Sequence, residues 1–462
     1  MTFNNTLFPL LCAVCLLFLW ADTASAQDFV GFNTHPYAGV SAVDINPASL
    51  GGTVYKADVT LGGISLVGNN SYIKYNPKFI SKWRLQKEGK SVEVNPAGLK
   101  NDIYLQSRIQ LPSVMYDINN NDAVALTLQL RSYVQAENVN AEFSKLLYED
   151  FDYTPYWNNT YSGSGLKARM LNWAEIGAGY GHVFYLNGGN RIKVGTRLKY
   201  LMGLNALYLN TGSINYLFQN DHVIDVAGDA EYAHSDNLGD KVGFKPSGAG
   251  FGLDFGVKYS YYNQFILGVS LLDVGSIKFD RAATSNNFTI DQQNWNLNGE
   301  HVSSVADFDS LLAARGTALA SPDQFKIGLP TTLSLQGTFN LWKSGDFEGG
   351  GYQNLYLNVT SYFDLSSMNS GKDATMRPMS LTTATLGFVS IPIGAGIPVT
   401  FGSKTDFQAG LFLRLGPFVM GSRNLITYLA AKQVRDFDAY AAIKVPLLKP
   451  KPHLVQGCPK HF

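Results

Sequence analysis

Arg191-Ile192-Lys193-Val194-Gly195-Thr196-Arg197-Leu198-Lys199-Tyr200 alternates without a break. In a β-strand successive side chains point to opposite faces. Ile192, Val194, Thr196, Leu198 and Tyr200 therefore share one face, and Arg191, Lys193, Gly195, Arg197 and Lys199 share the other. Cations crowded on one face and absent from its opposite suit a wall between lipid and water. The same pattern suits a soluble sandwich poorly, because its inward face is dry.

The pattern recurs from Val54 to Leu447. Leu253, Phe255, Val257 and Tyr259 oppose Asp254, Gly256 and Lys258, and Leu355, Leu357 and Val359 oppose Tyr356, Asn358 and Thr360. Phe407, Ala409, Leu411, Leu413 and Leu415 oppose Gln408, Gly410 and Arg414. Phe437, Ala439, Ala441, Ile443 and Val445 oppose Asp438, Tyr440, Ala442 and Lys444. A central Arg or Lys facing lipid costs about 2–4 kcal/mol, so the apolar set looks outward. Candidate strands are 54–67, 102–116, 122–134, 173–186, 190–203, 206–218, 222–233, 248–261, 264–278, 288–298, 327–341, 353–364, 380–391, 398–415 and 433–447. Single-chain bacterial barrels use even strand numbers, so the expectation is an all-β transmembrane barrel of about fourteen antiparallel strands, with 288–298 the weakest member. Pro112 interrupts 102–116 and predicts a kink or bulge.

The N-terminus carries an apolar run, Leu7 to Trp20, and then Ala24-Ser25-Ala26. This reads as a secretory signal over 1–26, cleaved after Ala26, and implies export to the cell outer membrane of a Gram-negative bacterium. Of the three cysteines, only Cys458 lies beyond that signal, so neither an intrachain disulfide nor a cysteine metal site is expected. Lys plus Arg equals Asp plus Glu at 36 each, which gives no drive toward nucleic acid. A mean hydropathy of −0.04 hides a barrel easily, because half of each strand faces a polar lumen. The 25 Tyr and 28 Phe supply interface girdles.

Residues 27–52 form an N-terminal segment that is not strand-like, 53–447 form the barrel, and 448–462 form a basic, proline-containing periplasmic tail. Helices are expected over Pro77–Glu88, Ala141–Phe151, Ser304–Ala320 and Ser422–Lys432, the last with Ser422 as its cap. Between 144 and 170, Tyr153, Tyr156, Trp157 and Tyr161 lie in a long aromatic loop. It reads either as an apolar capture site at the outer mouth or as a loop packed on itself.

VSAVDINPASLGG (40–52), LPSVMYDINNNDAVALTLQLRS (111–132), AEIGAGYGHVFYLNGGNRIKVGTRLKYLMG (174–203), GAGFGLDFGVKYSYYNQFILGVSLLDVGSIKFDR (248–281) and GPFVMGSRNLITYLAAKQVRDFDAYAAIKVPL (416–447) together resemble a Bacteroidota outer-membrane family known only as a domain of unknown function. More loosely, through Asn46-Pro47-Ala48 and the strand number, the chain resembles long-chain fatty-acid transporters (FadL-like) and the type 9 secretion barrel (PorV-like). The transporter resemblance implies that 27–52 forms a hatch inside the lumen.

Arg108, Arg131, Glu175, Arg191, Lys193, Arg197, Lys199, Asp254 and Arg414 fall on predicted lumenal faces. They read as an electrostatic path for an anionic solute or as structural pairs, with Asp58, Asp364 and Asp438 as further partners. Asn46, Pro47, Ala48 and Pro112 are the hatch or gate candidates. Gly177-x-Gly179-x-Gly181 and Gly248-x-Gly250-x-Gly252 lack the phosphate-loop context and read as close-packing positions. His182 and Glu175 differ by an odd number and face opposite sides. No nucleophile elbow or metal motif is present, so neither catalysis nor a cofactor is expected. Three roles stay open: passage of a small hydrophobic or amphipathic solute, an adaptor barrel docking an outer-membrane or secretion protein partner, and a porin-like structural barrel. Membrane lipid is an expected partner and a monomer the expected state.

Overall fold

In the computed structural model the described residues run from Phe29 to Leu448, apart from 36, 54, 76–91, 95–99, 120, 150–151, 187–188, 239–244, 263, 281, 298–303, 320–323, 345–352, 370–371, 391 and 403–404. The signal over 1–26, the helix over Pro77–Glu88 and the tail from residue 449 lie outside them.

The chain closes a fourteen-stranded antiparallel barrel. Its wall strands are β1 (Tyr55–Asn70), β2 (Lys100–Gln110, resuming Ser113–Asp117), β3 (Asp122–Asn140), β4 (Lys167–Tyr185), β5 (Arg191–Phe218), β6 (Gly248–Tyr261) and β7 (Phe265–Phe279). They continue with β8 (Phe325–Gly328, resuming Thr332–Ser344), β9 (Gln353–Asp364), β10 (Leu381–Ser390), β11 (Ile393–Gly402), β12 (Thr405–Ala409, resuming Leu411–Leu415), β13 (Phe418–Ser422) and β14 (Phe437–Leu448). Closure is made by β1, where Gly63 faces Gln110 of β2 and Val59 faces Val445 of β14. Closing the sheet leaves no free edge, which a membrane demands of backbone polar groups.

The strand count matches the expected one, but its members differ. Segments 190–203 and 206–218 are one strand, β5. Segments 222–233 and 288–298 belong to Val223–Ser235 and Ala282–Asn296, which pair with each other, and the first pairs with the upper part of β5. The expected strand 398–415 is two strands, with Gly402 paired to Thr405, and β13 had no counterpart. The 28 residues of β5 span roughly 95 Å at about 3.4 Å each, against an apolar band about 25 Å tall, so its upper half stands outside the membrane.

Alternation sets the two faces as the pattern requires. Leu198 and Phe251 are 57% and 64% exposed on the lipid side, whereas Arg197 and Lys199 are buried inside. Pro112 breaks β2, and the pairing with β3 gains one residue there, from Gln110↔Gln129 to Val114↔Leu126. Opposite it, Leu61 is bulged out of the β1–β14 ladder between Thr60 and Gly62. Among the described residues three α-helices lie outside the wall: α1 (Ala141–Tyr148), α2 (Val305–Arg315) and α3 (Leu425–Ala430). A capping box of Ser304 and Asp307 starts α2. Asn424, not Ser422, sits at the N-cap of α3; the Ser422 hydroxyl instead accepts the Asn424 N–H at 3.3 Å.

Candidate functional site: a lumen filled by the N-terminal segment

Residues 29–52 lie inside the barrel, and Phe29, Val30, Phe32, Val43, Asn46, Ala48 and Leu50 have essentially no solvent exposure. The segment is built from two short 3-10 turns, Gly39–Asp44 and Pro47–Ser49. Asn46 caps the second, its side-chain oxygen accepting the Ala48 N–H at 2.9 Å, and Pro47 occupies the first position, where a missing N–H costs nothing. Gly39 has φ +53, and a Cβ there would lie 2.0 Å from the Asp58 carboxylate. That carboxylate instead accepts the Val40 N–H at 2.7 Å and pairs with Lys444 at 3.0 Å.

One side of the lumen receives this plug on bare backbone. A Cβ on Gly195 would lie 2.3 Å from the Pro47 carbonyl carbon, one on Gly256 2.1 Å from Asn46 Oδ1, and one on Gly181 2.8 Å from the Gly51 nitrogen. Of the Gly177-x-Gly179-x-Gly181 run, Gly179 and Gly181 line the place where the plug touches β4, whereas Gly177 faces Thr127 and Arg197 of the wall. The Asn46 amide donates to the Val257 and Val269 carbonyls at 3.3 and 3.2 Å and to Gln336 at 3.0 Å. Lys193 donates to the Gly52 carbonyl at 3.2 Å.

The same side carries the lumenal charges. Asp44 reaches from the plug to Arg108 at 3.1 Å and Arg197 at 2.7 Å, and accepts from Gln110 and Gln129. Burial pushes the Asp44 carboxyl up, but Arg108 and Arg197 outweigh it and hold the group well below the usual carboxylate range. Asp254 binds Arg197 and Lys199, both at 2.7 Å. Asp273 binds Arg131 at 2.8 Å and also pairs with Lys199. Arg131 stacks its guanidinium 4.8 Å over Trp173 and reaches Glu175 at 3.4 Å. Each of these charges has an opposite neighbour, as buried ions require.

Asp44 and Asp273 were not singled out from the sequence. Asp273 faces inward because of a β-bulge: Leu253 pairs with Val274 but Phe255 with Leu271, and Asp273 takes φ +56. The doubled Leu271-Leu272, a break in alternation, is the signal that marks it.

The opposite side holds the plug with rings. Phe29 and Phe32 pack with Phe412, Val419 and Tyr440, and the Tyr440 hydroxyl donates to the Val30 carbonyl at 2.6 Å. His35 packs edge-on against Tyr356 and Phe412. Burial, followed by Arg414 and Lys444, holds its imidazole well below the ordinary histidine range, so it sits neutral. Arg414 lies 4.4 Å over the Tyr37 ring and donates to the Ser390 carbonyl at 2.7 Å. Arg423 is fully buried, and its three guanidinium nitrogens have no hydrogen-bond partner among the described residues.

Other expected residues are placed elsewhere. Arg191 stands at the periplasmic end of β5, its guanidinium 5.3 Å over Tyr185. Asp364 accepts the Ser366 N–H at 2.7 Å, and Asp438 that of Arg423 at 2.6 Å. His182 points out of the barrel and meets Asp122 at 2.7 Å, away from Glu175. Tyr153, Tyr156, Trp157 and Tyr161 pack with Phe143 around Leu146, Tyr216 and Phe218, at the outer end of β5. Between plug and outer loops is a small cavity of about 40 Å³, lined by Asp44, Arg108, Arg131, Tyr133, Asp273 and Pro378 among others. Among the described residues no group of three or more His, Cys, Asp or Glu is placed to hold a metal.

The sequence profile of a family of unknown function (DUF5723) matches residues 47–422. The chain belongs to this family. The match begins at Pro47, so it takes in the second plug turn together with most of the wall. No curated protein matches the sequence. Among solved structures, the barrel is similar to the Ralstonia pickettii toluene transporter TbuX, at 9% identity and TM-score 0.38, covering 88% of this chain and 94% of that one. A Pseudomonas aeruginosa FadL homologue is similar at 10% identity and TM-score 0.38, covering 91% and 98%. The translocator domain of the Neisseria meningitidis autotransporter NalP gives 9% identity and TM-score 0.33, covering 90% and 97%. At these values the likeness assigns no function to a DUF5723 chain.

Proposed function

We propose that this DUF5723 chain is an outer-membrane barrel that passes a small hydrophobic or amphipathic solute, with residues 27–52 as its hatch. The observation that carries the reading is the way the plug is held. Its hub, Asp44, binds through ion pairs and amides that exchange one for one with water, and the surface beneath Pro47 is bare glycine backbone. Such contacts release without tearing the wall. In this reading Asn46, Pro47 and Ala48 form the gate, the aromatic cluster at the outer end of β5 meets the solute first, and the irregular wall at Leu61 and Pro112 is its lateral exit. No catalytic step is involved.

The test is conductance of the protein with residues 27–52 deleted, behind an intact export signal, in planar lipid bilayers. The deleted form should conduct well above the intact one. Equal conductance, with the barrel folded by heat-modifiable gel mobility, sinks the hatch. An intact protein that already conducts freely would point to a porin-like role. A second reading, an adaptor barrel, is favoured by the outer platform of β5, Val223–Ser235, Ala282–Asn296 and α2, where Phe308 packs on Tyr232 at 5.2 Å. Stoichiometric co-purification of a protein partner, without bound lipid or fatty acid, would put that reading first.

A further inference from the structure

A second cavity, of about 410 Å³, opens at the outer mouth between the top of β4 and the inward loop that follows β9. Its lining includes Lys167, Arg169, Lys372 and Arg377 against one acid, Asp373. Arg169 is neutralised by Glu137 at 3.2 Å. Lys167, Lys372 and Arg377 make no ion pair with a described residue. Like charges gathered in a concave, low-dielectric mouth repel one another and focus a positive potential outward.

The loop that carries two of these cations is pinned. Gln135 accepts the Arg377 N–H at 3.0 Å and donates to its carbonyl, while the Asn369 amide donates to the Leu329 carbonyl and the Thr331 hydroxyl, both at 2.9 Å. The cationic side chains therefore project from fixed backbone, so little ordering remains to oppose binding. Arg377 and Gln135 also line a small void of about 10 Å³ beside Tyr133.

We infer that this mouth binds an oxyanion head group, carboxylate or phosphate, through Lys167, Lys372 and Arg377. Resting on the transport reading, it follows that the solute is an anion and not a neutral hydrocarbon. The test is calorimetric titration of the mature full chain in non-ionic detergent with octanoate, 1-octanol and inorganic phosphate. Octanoate should bind more tightly than octanol, and added salt should weaken it. K372Q/R377Q should weaken octanoate by about tenfold or more, the loss expected on removing charge-assisted hydrogen bonds. K372R/R377K should retain binding. Phosphate binding alone would mark the head group as phosphate, and octanoate alone as carboxylate. Equal binding of octanoate and octanol with no binding of phosphate, or K372Q/R377Q binding its ligand like the parent, overturns the site. Binding here needs no movement of the plug, so its failure is separable from failure of the hatch.

Discussion

The plug is gripped differently on its two sides. Toward β4–β7 the wall gives up its side chains at Gly181, Gly195 and Gly256 and holds the plug through Asn46 and Asp44. Toward β12–β14 the wall is rich in rings, and Phe29 and Phe32 supply apolar contact. The first side depends on directional, solvent-exchangeable bonds and close backbone fit. The second depends on area removed from water, which tolerates small shifts. If the plug moves as proposed, the expected order is release from the polar side first, with the aromatic side as the hinge.

The largest effect should come from filling the glycine seat. Gly195→Val places atoms where Pro47 now lies, so the plug should leave its site and conductance should approach that of the deletion. Gly337→Val, at a position with nothing within 4 Å, is the control and should conduct like the parent. Equal behaviour of the two would erase the distinction between the sides. Next is Asp44→Ala, which removes the carboxylate that Arg108 and Arg197 share, a side chain only 3% exposed, although Arg197 keeps Asp254. Removing one member of a buried ion pair costs about 3–5 kcal/mol, to be read as faster proteolysis of the plug in the intact barrel. The smallest effect belongs to the aromatic side. Arg423→Leu removes a buried guanidinium that has no partner among the described residues, so the thermal unfolding midpoint should hold or rise. A large fall would mean that this charge is held by something essential.

The wall was legible in the sequence because alternation is a property of single strands. Arg197, Lys199, Asp254 and Asp438 follow from parity alone. Parity fails where the backbone slips, and the bulge that turns Asp273 inward hid the partner of Arg131 and Lys199. Asp44 sits in a 3-10 turn with no periodicity to read, although it joins Arg108, Arg197, Gln110 and Gln129. Thr405–Ala409 continues the apolar alternation of Ile393–Gly402 in sequence, and 398–415 therefore read as one. The strand β13, with Arg423 just beyond it, was lost for the same reason. The aromatic run 153–161 was visible as composition, but its partners Tyr216 and Phe218 come from the far end of β5, which local pattern does not reach.

Val30 and Ala38 are fastened by Tyr440 and Lys444, residues made some four hundred positions later. The earliest part of the folded chain to be synthesised thus has its docking partners completed last. Until β14 meets β1, half of the clasp does not exist, and contacts this distant in sequence form slowly. A protease-resistant plug therefore reports that the circle has closed, and a nascent barrel with its final strand withheld would carry its N-terminus loose.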